Sequence, residues 1–251
     1  SLGAYPTFNY HVKGSGGELI FIPYQNDHED LNSLVEAAQK SNAKLIYFAN
    51  PDNPMGTAVP AKIIEEIVKK IPDDCLLCID EAYVDFAPKE FIPKIDIENQ
   101  KVVRLRTFSK AYGLAGVRIG FAIGAKELIR NFEKIRNHFG VNRVAQSGAL
   151  AALADVNHLK QVQRSVYFAK EQIKKIAKDN NLSTIPSFAN FVSIDCGKNG
   201  DYASKVMQRL IKSGIFVRMP SIDPLNRCIR LTVGGKLDLD YIAEQLPKAL
   251  K

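Results

Sequence analysis

No apolar run in the 251-residue sequence approaches the length needed to span a bilayer. The first residues show no basic stretch, apolar core and small-residue cleavage site of a secretory signal. A cytoplasmic protein is the expectation. Cysteine is scarce, with four residues, Cys75, Cys78, Cys196 and Cys228. Cys75 and Cys78 form a C-x-x-C, which invites a redox or zinc reading. No second Cys/His pair accompanies them, and Cys75-Leu76-Leu77-Cys78-Ile79 reads as a buried strand. Three apart on a strand, the two thiols face opposite sides, as core cysteines do. Histidine is equally sparse, and His11, His28, His138 and His158 are too dispersed to suggest a metal site. The chain also lacks an Arg/Lys stripe with interleaved aromatics and any nucleic-acid motif. The net charge of +7 therefore reads as lysines on solvated helix faces, as in Lys69-Lys70 and Lys174-Lys175, with some charge left for anionic ligands.

What is present is an ordinary globular composition, 46% hydrophobic and 24% charged, long enough for a large domain plus a smaller one. Short apolar runs at Glu18–Pro23, Lys44–Ala49, Leu76–Asp80, Val102–Thr107 and Ile119–Ile123 read as strands. His28–Lys40 carries Leu31, Leu34, Val35 and Ala38 on one helical face, and Pro60 opens a helix to about Lys70. Strands alternating with helices predict a mainly parallel sheet with helices on both faces, an α/β three-layer sandwich. Lys126–Asn137 and Asn142–Ala154 read as further helices, and a long one over about 159–179 links two domains. After Asn180-Asn181 the rhythm changes. Short strands at Phe191–Asp195, Ile215–Arg218 and Cys228–Val233, with helices at Tyr202–Lys212 and Asp238–Leu250, predict a smaller α+β C-terminal domain. The expected division is 1–154 and 155–251.

One stretch carries the chemistry: Thr107-Phe108-Ser109-Lys110-Ala111-Tyr112-Gly113-Leu114-Ala115-Gly116-Val117-Arg118-Ile119-Gly120. Lys110 lies just past a strand end. The hydroxyls of Thr107 and Ser109 and the fork of Arg118 are the usual donors to a phosphate. The lysine is then a point charge on that phosphate, or an amine that condenses with a carbonyl of the same ligand. The second reading describes pyridoxal 5'-phosphate (PLP), whose aldehyde forms a Schiff base with lysine. Gly113, Gly116 and Gly120 fit neither of the glycine-rich nucleotide-binding patterns. Asn53, Asp80 and Lys110 each fall at or just after a strand end, where ligands sit in such sheets.

The stretch resembles the Schiff-base motif of class I/II, fold-type I aminotransferases. Asn50-Pro51-Asp52-Asn53-Pro54-Met55-Gly56-Thr57 and Asp80-Glu81-Ala82-Tyr83 match two further motifs in the right order. Together they are most similar to the histidinol-phosphate aminotransferase branch. The resemblance implies that Lys110 is the Schiff-base lysine and the general base and acid. It implies that Asp80 pairs with the pyridinium nitrogen, and that Tyr83 and Asn53 hydrogen-bond the ring oxygen. Thr107, Ser109 and Arg118 would bind the cofactor phosphate, although Thr107 also reads as a strand end. Phe8, in the Pro-Thr-aromatic segment, would stack on the ring; Tyr10 and His11 are close enough for that assignment to shift. Arg230 matches the arginine that grips substrate anions, and Arg218 a second anion site; which takes the substrate phosphate stays open.

A homodimer acting on small molecules is implied, exchanging an amino group between histidinol phosphate and 2-oxoglutarate. An aromatic-amino-acid aminotransferase, a threonine-phosphate decarboxylase and a non-catalytic remnant are the alternatives. A basic nucleic-acid-binding protein is a weaker one. In the family, a Pro-Thr-aromatic segment lies well inside the cofactor domain. The chain therefore resembles a member without its N-terminal portion, which would bring a first strand, a helix and a loop whose amides hold the cofactor phosphate.

Overall fold

The computed structural model describes residues 1–251. Four strands build the first sheet: β1 (Leu45–Ala49), β2 (Leu76–Asp80), β3 (Val102–Thr107) and β4 (Gly120–Gly124), in that spatial order. The pairs β1–β2 and β2–β3 are parallel, and β3–β4 is antiparallel. Parallel neighbours need a crossover, and α3 (Ala61–Val68) lies within the one between β1 and β2. Pro60 stands at its N-cap rather than inside the first turn, and the helix stops at Val68, short of Lys70.

The helix α2 (Leu31–Ser41) begins later than its apolar spacing suggested, because Asp30 caps it. The Asp30 carboxylate accepts from the backbone N–H of Ser33 at 3.0 Å. Asn42 ends it in the left-handed region at φ 55°. Its buried face of Leu31, Leu34, Val35 and Ala38 packs with Ile46, Phe48, Ile64, Ile67, Leu77 and Ile79 into one apolar core.

The second sheet is antiparallel, ordered β5 (Ser183–Thr184), β6 (Phe191–Asp195), β7 (Cys228–Thr232). The helices α6 (Val156–Asp179), α7 (Gly200–Lys212) and α8 (Lys236–Ala249) cover it with a separate core that includes Ile173, Val206, Leu210, Ile229 and Leu246. The helix α6 starts at Val156 because Asp155 caps it, accepting from the N–H of His158 at 2.9 Å. The helices α4 (Lys126–Glu133) and α5 (Arg143–Ala154) precede it. All four cysteines are buried and free. No helix is long and apolar enough to cross a membrane.

Two expectations need correction. Glu18–Pro23 is not a strand. No strand lies beside it to complete a ladder, and a β-strand exists only through its neighbour. Ile215–Arg218 is likewise reduced to a single bridge between Arg218 and Arg230, closed by backbone N–H···O contacts of 3.1 and 2.6 Å. The Pro-Thr-aromatic segment, given no element in advance, opens a short helix, α1 (Thr7–Gly14).

Ile173 is fully buried in the second core. Ile173→Ala is expected to cost about 2–5 kcal/mol. Urea unfolding checks this: the midpoint falls while the slope stays unchanged.

Candidate active site

The parallel strands β1 and β2 end side by side, at Ala49 and Asp80, and β3 runs two residues past that level, to Thr107. A cleft of about 630 Å³ opens beyond the ends of β1 and β2. It is lined by Asn53, Asp80, Tyr83, Lys110, Arg218 and Arg230, together with Tyr5, Tyr10 and Tyr47. A second cavity of about 430 Å³, between α1, α2 and β1, is mostly apolar and contains none of those six residues.

Asp80 is held on both carboxylate oxygens. Oδ1 accepts from the backbone N–H of Ala82 at 2.9 Å, and Oδ2 accepts from the hydroxyl of Tyr47. Tyr83 is buried, its ring edge-on to Phe191 at 5.3 Å. Burial pushes its phenol up to about 12, against the opposing pull of the Arg230 guanidinium. The Asn53 amide donates from Nδ2 to the Tyr83 hydroxyl at 3.5 Å, and its Oδ1 accepts from Nη1 of Arg230. Lys110 Nζ stands 5.3 Å from the centre of the Tyr83 ring.

Arg230 lies over Phe191, with Cζ 4.7 Å from the ring centre. Its Nε is buried without a hydrogen-bond partner. Desolvation lowers its pKa. A buried donor left unmatched is costly, and this atom remains free to donate. Arg218 is tied to Arg230 through the backbone bridge. Arg227, the residue before β7, is paired with Asp27 and Asp195, each at 2.7 Å.

Thr107, Ser109 and Arg118 do not line that cleft; they lie on the segment around Lys110. Thr107 Oγ1 and Ser109 Oγ are 2.9 Å apart, and the Ser109 N–H donates to Thr107 Oγ1 at 3.1 Å. Arg118 is exposed at φ 58° and donates to the carbonyl of Ala115 at 2.6 Å. Phe8 does not reach the cleft either. It stacks on Tyr47, with ring centres 4.3 Å apart and planes at 14°, while Tyr5 and Tyr10 take the lining positions.

Tyr47 is the residue that sequence reasoning missed. No local signal marks it: Tyr47 and Ala49 share one face of β1, and only the register, which pairs Ala49 with Asp80, brings its hydroxyl to that carboxylate.

Residues 3–246 match the family model described as aminotransferase class I and II. The chain belongs to that family. Its members are PLP-dependent enzymes of α/β, fold-type I architecture. This aminotransferase chain is 32% identical over 250 residues to a histidinol-phosphate aminotransferase of Geobacillus sp., which covers 98% of this chain and 67% of the relative. The crystal structure of histidinol-phosphate aminotransferase from Sinorhizobium meliloti, in complex with PLP, is 47% identical with a TM-score of 0.98, covering 100% of this chain and 69% of that one. L-threonine-O-3-phosphate decarboxylase from Porphyromonas gingivalis, 19% identical with a TM-score of 0.81, shares the fold. The aminotransferase chain thus spans about two thirds of the length of the first two relatives.

Two buried carboxyls lie next to the Asn53 turn. Asp52 accepts from the Tyr24 hydroxyl at 2.7 Å and from the N–H of Met55 at 3.1 Å. Glu29 accepts from the Ser1 hydroxyl at 2.7 Å and from the N–H of Ala49 at 3.3 Å. Burial, and next the charge of Asp52, pushes Glu29 up to about 8. Burial pushes Asp52 up to about 6. Between the usual carboxylate value of 4.5 and about 8, folded Glu29 holds a proton that the unfolded chain has lost. Stability is therefore expected to fall as pH rises through that window. Thermal melts across it should show the slope in the wild type, and a shallower one in Glu29→Gln.

Proposed function

We propose that this chain performs the PLP-dependent transfer of an amino group between histidinol phosphate and 2-oxoglutarate, a step of histidine biosynthesis. The observation that carries the reading is one cleft gathering Lys110, Asp80, Asn53 and Tyr83 with two arginines, one of them with a buried, unpartnered Nε. The residues present fit the cofactor. A carboxylate held on both oxygens suits a ring nitrogen, and the Asn53 amide and Tyr83 hydroxyl lie close enough together to share one ring oxygen. Two hydroxyls 2.9 Å apart and a guanidinium suit a phosphate.

When bound, PLP supplies a sink for the electrons left behind as a proton departs the amino-bearing carbon. Lys110 Nζ would bind the cofactor and would carry that proton from one carbon to the other. Asp80 would keep a proton on the ring nitrogen, and Tyr83 and Asn53 would donate to the ring oxygen. Thr107, Ser109 and Arg118 would hold the phosphate. Arg230 and Arg218 grip the substrate anions. Histidinol phosphate has a phosphate and no α-carboxylate, whereas 2-oxoglutarate has two carboxylates, so two arginines in one cleft suit both halves of the exchange. The substrate reading is supported by the similarity to histidinol-phosphate aminotransferases at 32% and 47% identity. A cytoplasmic homodimer acting only on small molecules, with domains at 1–154 and 155–251, belongs to the same proposal.

Titration with PLP is expected to give a visible absorption band that Lys110→Ala loses. Addition of histidinol phosphate should convert that band, and 2-oxoglutarate should restore it. Conversion only by an aromatic amino acid, or release of carbon dioxide, would replace this substrate assignment with one of the related activities. Arg230→Ala is expected to raise KM for the 2-oxo acid by about 10- to 100-fold, the size of a lost hydrogen bond to a charged group.

A further inference from the structure

Asp80 stands at the last position of β2, where a bare carboxylate has free rotation about its side-chain bonds. The structure removes that freedom from two sides. The N–H of Ala82 fixes Oδ1, and the Tyr47 hydroxyl donates to Oδ2. Tyr47 is itself constrained. It sits on β1, one strand over, and the parallel register pairs its neighbour Ala49 with Asp80. A tyrosine two residues back on the same face is thus a diagonal neighbour, within reach of a long side chain. Its ring is clamped by the nearly parallel ring of Phe8 at 4.3 Å.

We propose that Tyr47 is a positioning residue for the PLP reaction: its hydroxyl, oriented by Phe8, locks the Asp80 carboxylate in the orientation that meets the ring nitrogen. The inference rests on the cofactor reading above. It gives Phe8 an indirect role, because Phe8 touches Tyr47 and does not line the cleft. The phenol is suited to donate throughout the working range. Burial, and next the charge of Asp80, hold its pKa well above the ordinary tyrosine value. Other charged groups on this side of the cleft are Lys110, Arg218 and Arg230, and Arg230 is already engaged with Asn53. No residue other than Tyr47 gives Asp80 a side-chain hydrogen bond.

Tyr47→Phe keeps the ring that stacks on Phe8 and removes only the donor. The PLP dissociation constant, read from the visible band, is expected to rise about tenfold, as for loss of a hydrogen bond to a charged group. A protonated ring nitrogen disfavours a second positive charge on the nearby Lys110 nitrogen. A looser hold by Asp80 weakens that repulsion, so the pH midpoint of the band should move upward. Both effects should vanish when Tyr47→Phe is made in an Asp80→Asn background, because the hydroxyl acts through that carboxylate. Wild-type affinity and midpoint in Tyr47→Phe would overturn the proposal. So would a loss of equal size in the Asp80→Asn background, which would mark a merely structural role. If the wild-type chain itself shows no Lys110-dependent band, it is the cofactor reading that fails. A crystal structure of cofactor-free Tyr47→Phe then decides the positioning role alone. Asp80 turned away or split between rotamers supports it, and an unchanged carboxylate overturns it.

Discussion

The strands β1, β2 and β3 terminate along one edge because of their register. Leu45 pairs with Leu76 and Ala49 with Asp80, while Leu77 pairs with Val102 and Asp80 with Leu105. β1 and β2 are thereby cut off at one level, and β3 two residues beyond it. The polar residues that follow each strand have nowhere to go but the space above that edge. Asp80, the Asn53 turn and Lys110 meet for this reason. The same register puts Tyr47 beside Asp80, so the support of the carboxylate and its placement have one cause.

Consecutive residues at the end of β2 serve different faces. Asp80 faces the cleft, and Glu81 faces away into an ion cluster in which Glu81 and Arg104 are buried and Arg106 is half-buried. Arg104 Nε donates to Glu81 Oε1 at 2.9 Å, and Arg106 Nε donates to Oε2 at 2.7 Å. Arg104 Nη1 reaches the carbonyl of Pro93 at 2.9 Å. A carboxylate between two guanidinium groups satisfies its lone pairs without water. Removing Glu81 would leave the buried Arg104 guanidinium uncompensated. The cluster ties β3 to the residue after Asp80, immediately behind the cleft.

The second sheet is joined to the cleft through the 50–57 loop. The Phe188 N–H donates to the carbonyl of Gly56 at 2.7 Å, and the Ser193 hydroxyl donates to the carbonyl of Pro54 at 2.8 Å. Gly56 has φ 81°, and a Cβ there would lie 2.5 Å from the Ser187 hydroxyl oxygen, so only glycine fits. Asn53 on this loop accepts from Arg230 on β7 and donates to Tyr83 after β2. A single loop therefore sets the distance between the arginines of one core and the carboxylate and lysine of the other.

Much of this was legible in the chain alone. Apolar spacing marked β1, β2, β3, β6 and the buried face of α2, because side-chain period follows backbone geometry. Three motifs identified the residues at the strand ends. Glu18–Pro23 and Ile215–Arg218 misled, because β-branched and aromatic runs show a tendency that only a neighbouring strand converts into a ladder. The interior of β3 read as an apolar run, although Arg104 is buried in it; its acceptability depends on Glu81, 23 residues earlier. Local sequence determined most of the elements, the helix caps and the chemical character of the candidate site. Only tertiary structure decided that Phe8 meets Tyr47 instead of the cleft, that Tyr47 holds Asp80, and that Arg230 keeps one donor free. Those outcomes depend on register and on packing between segments remote in sequence, and no local pattern encodes a distance across strands.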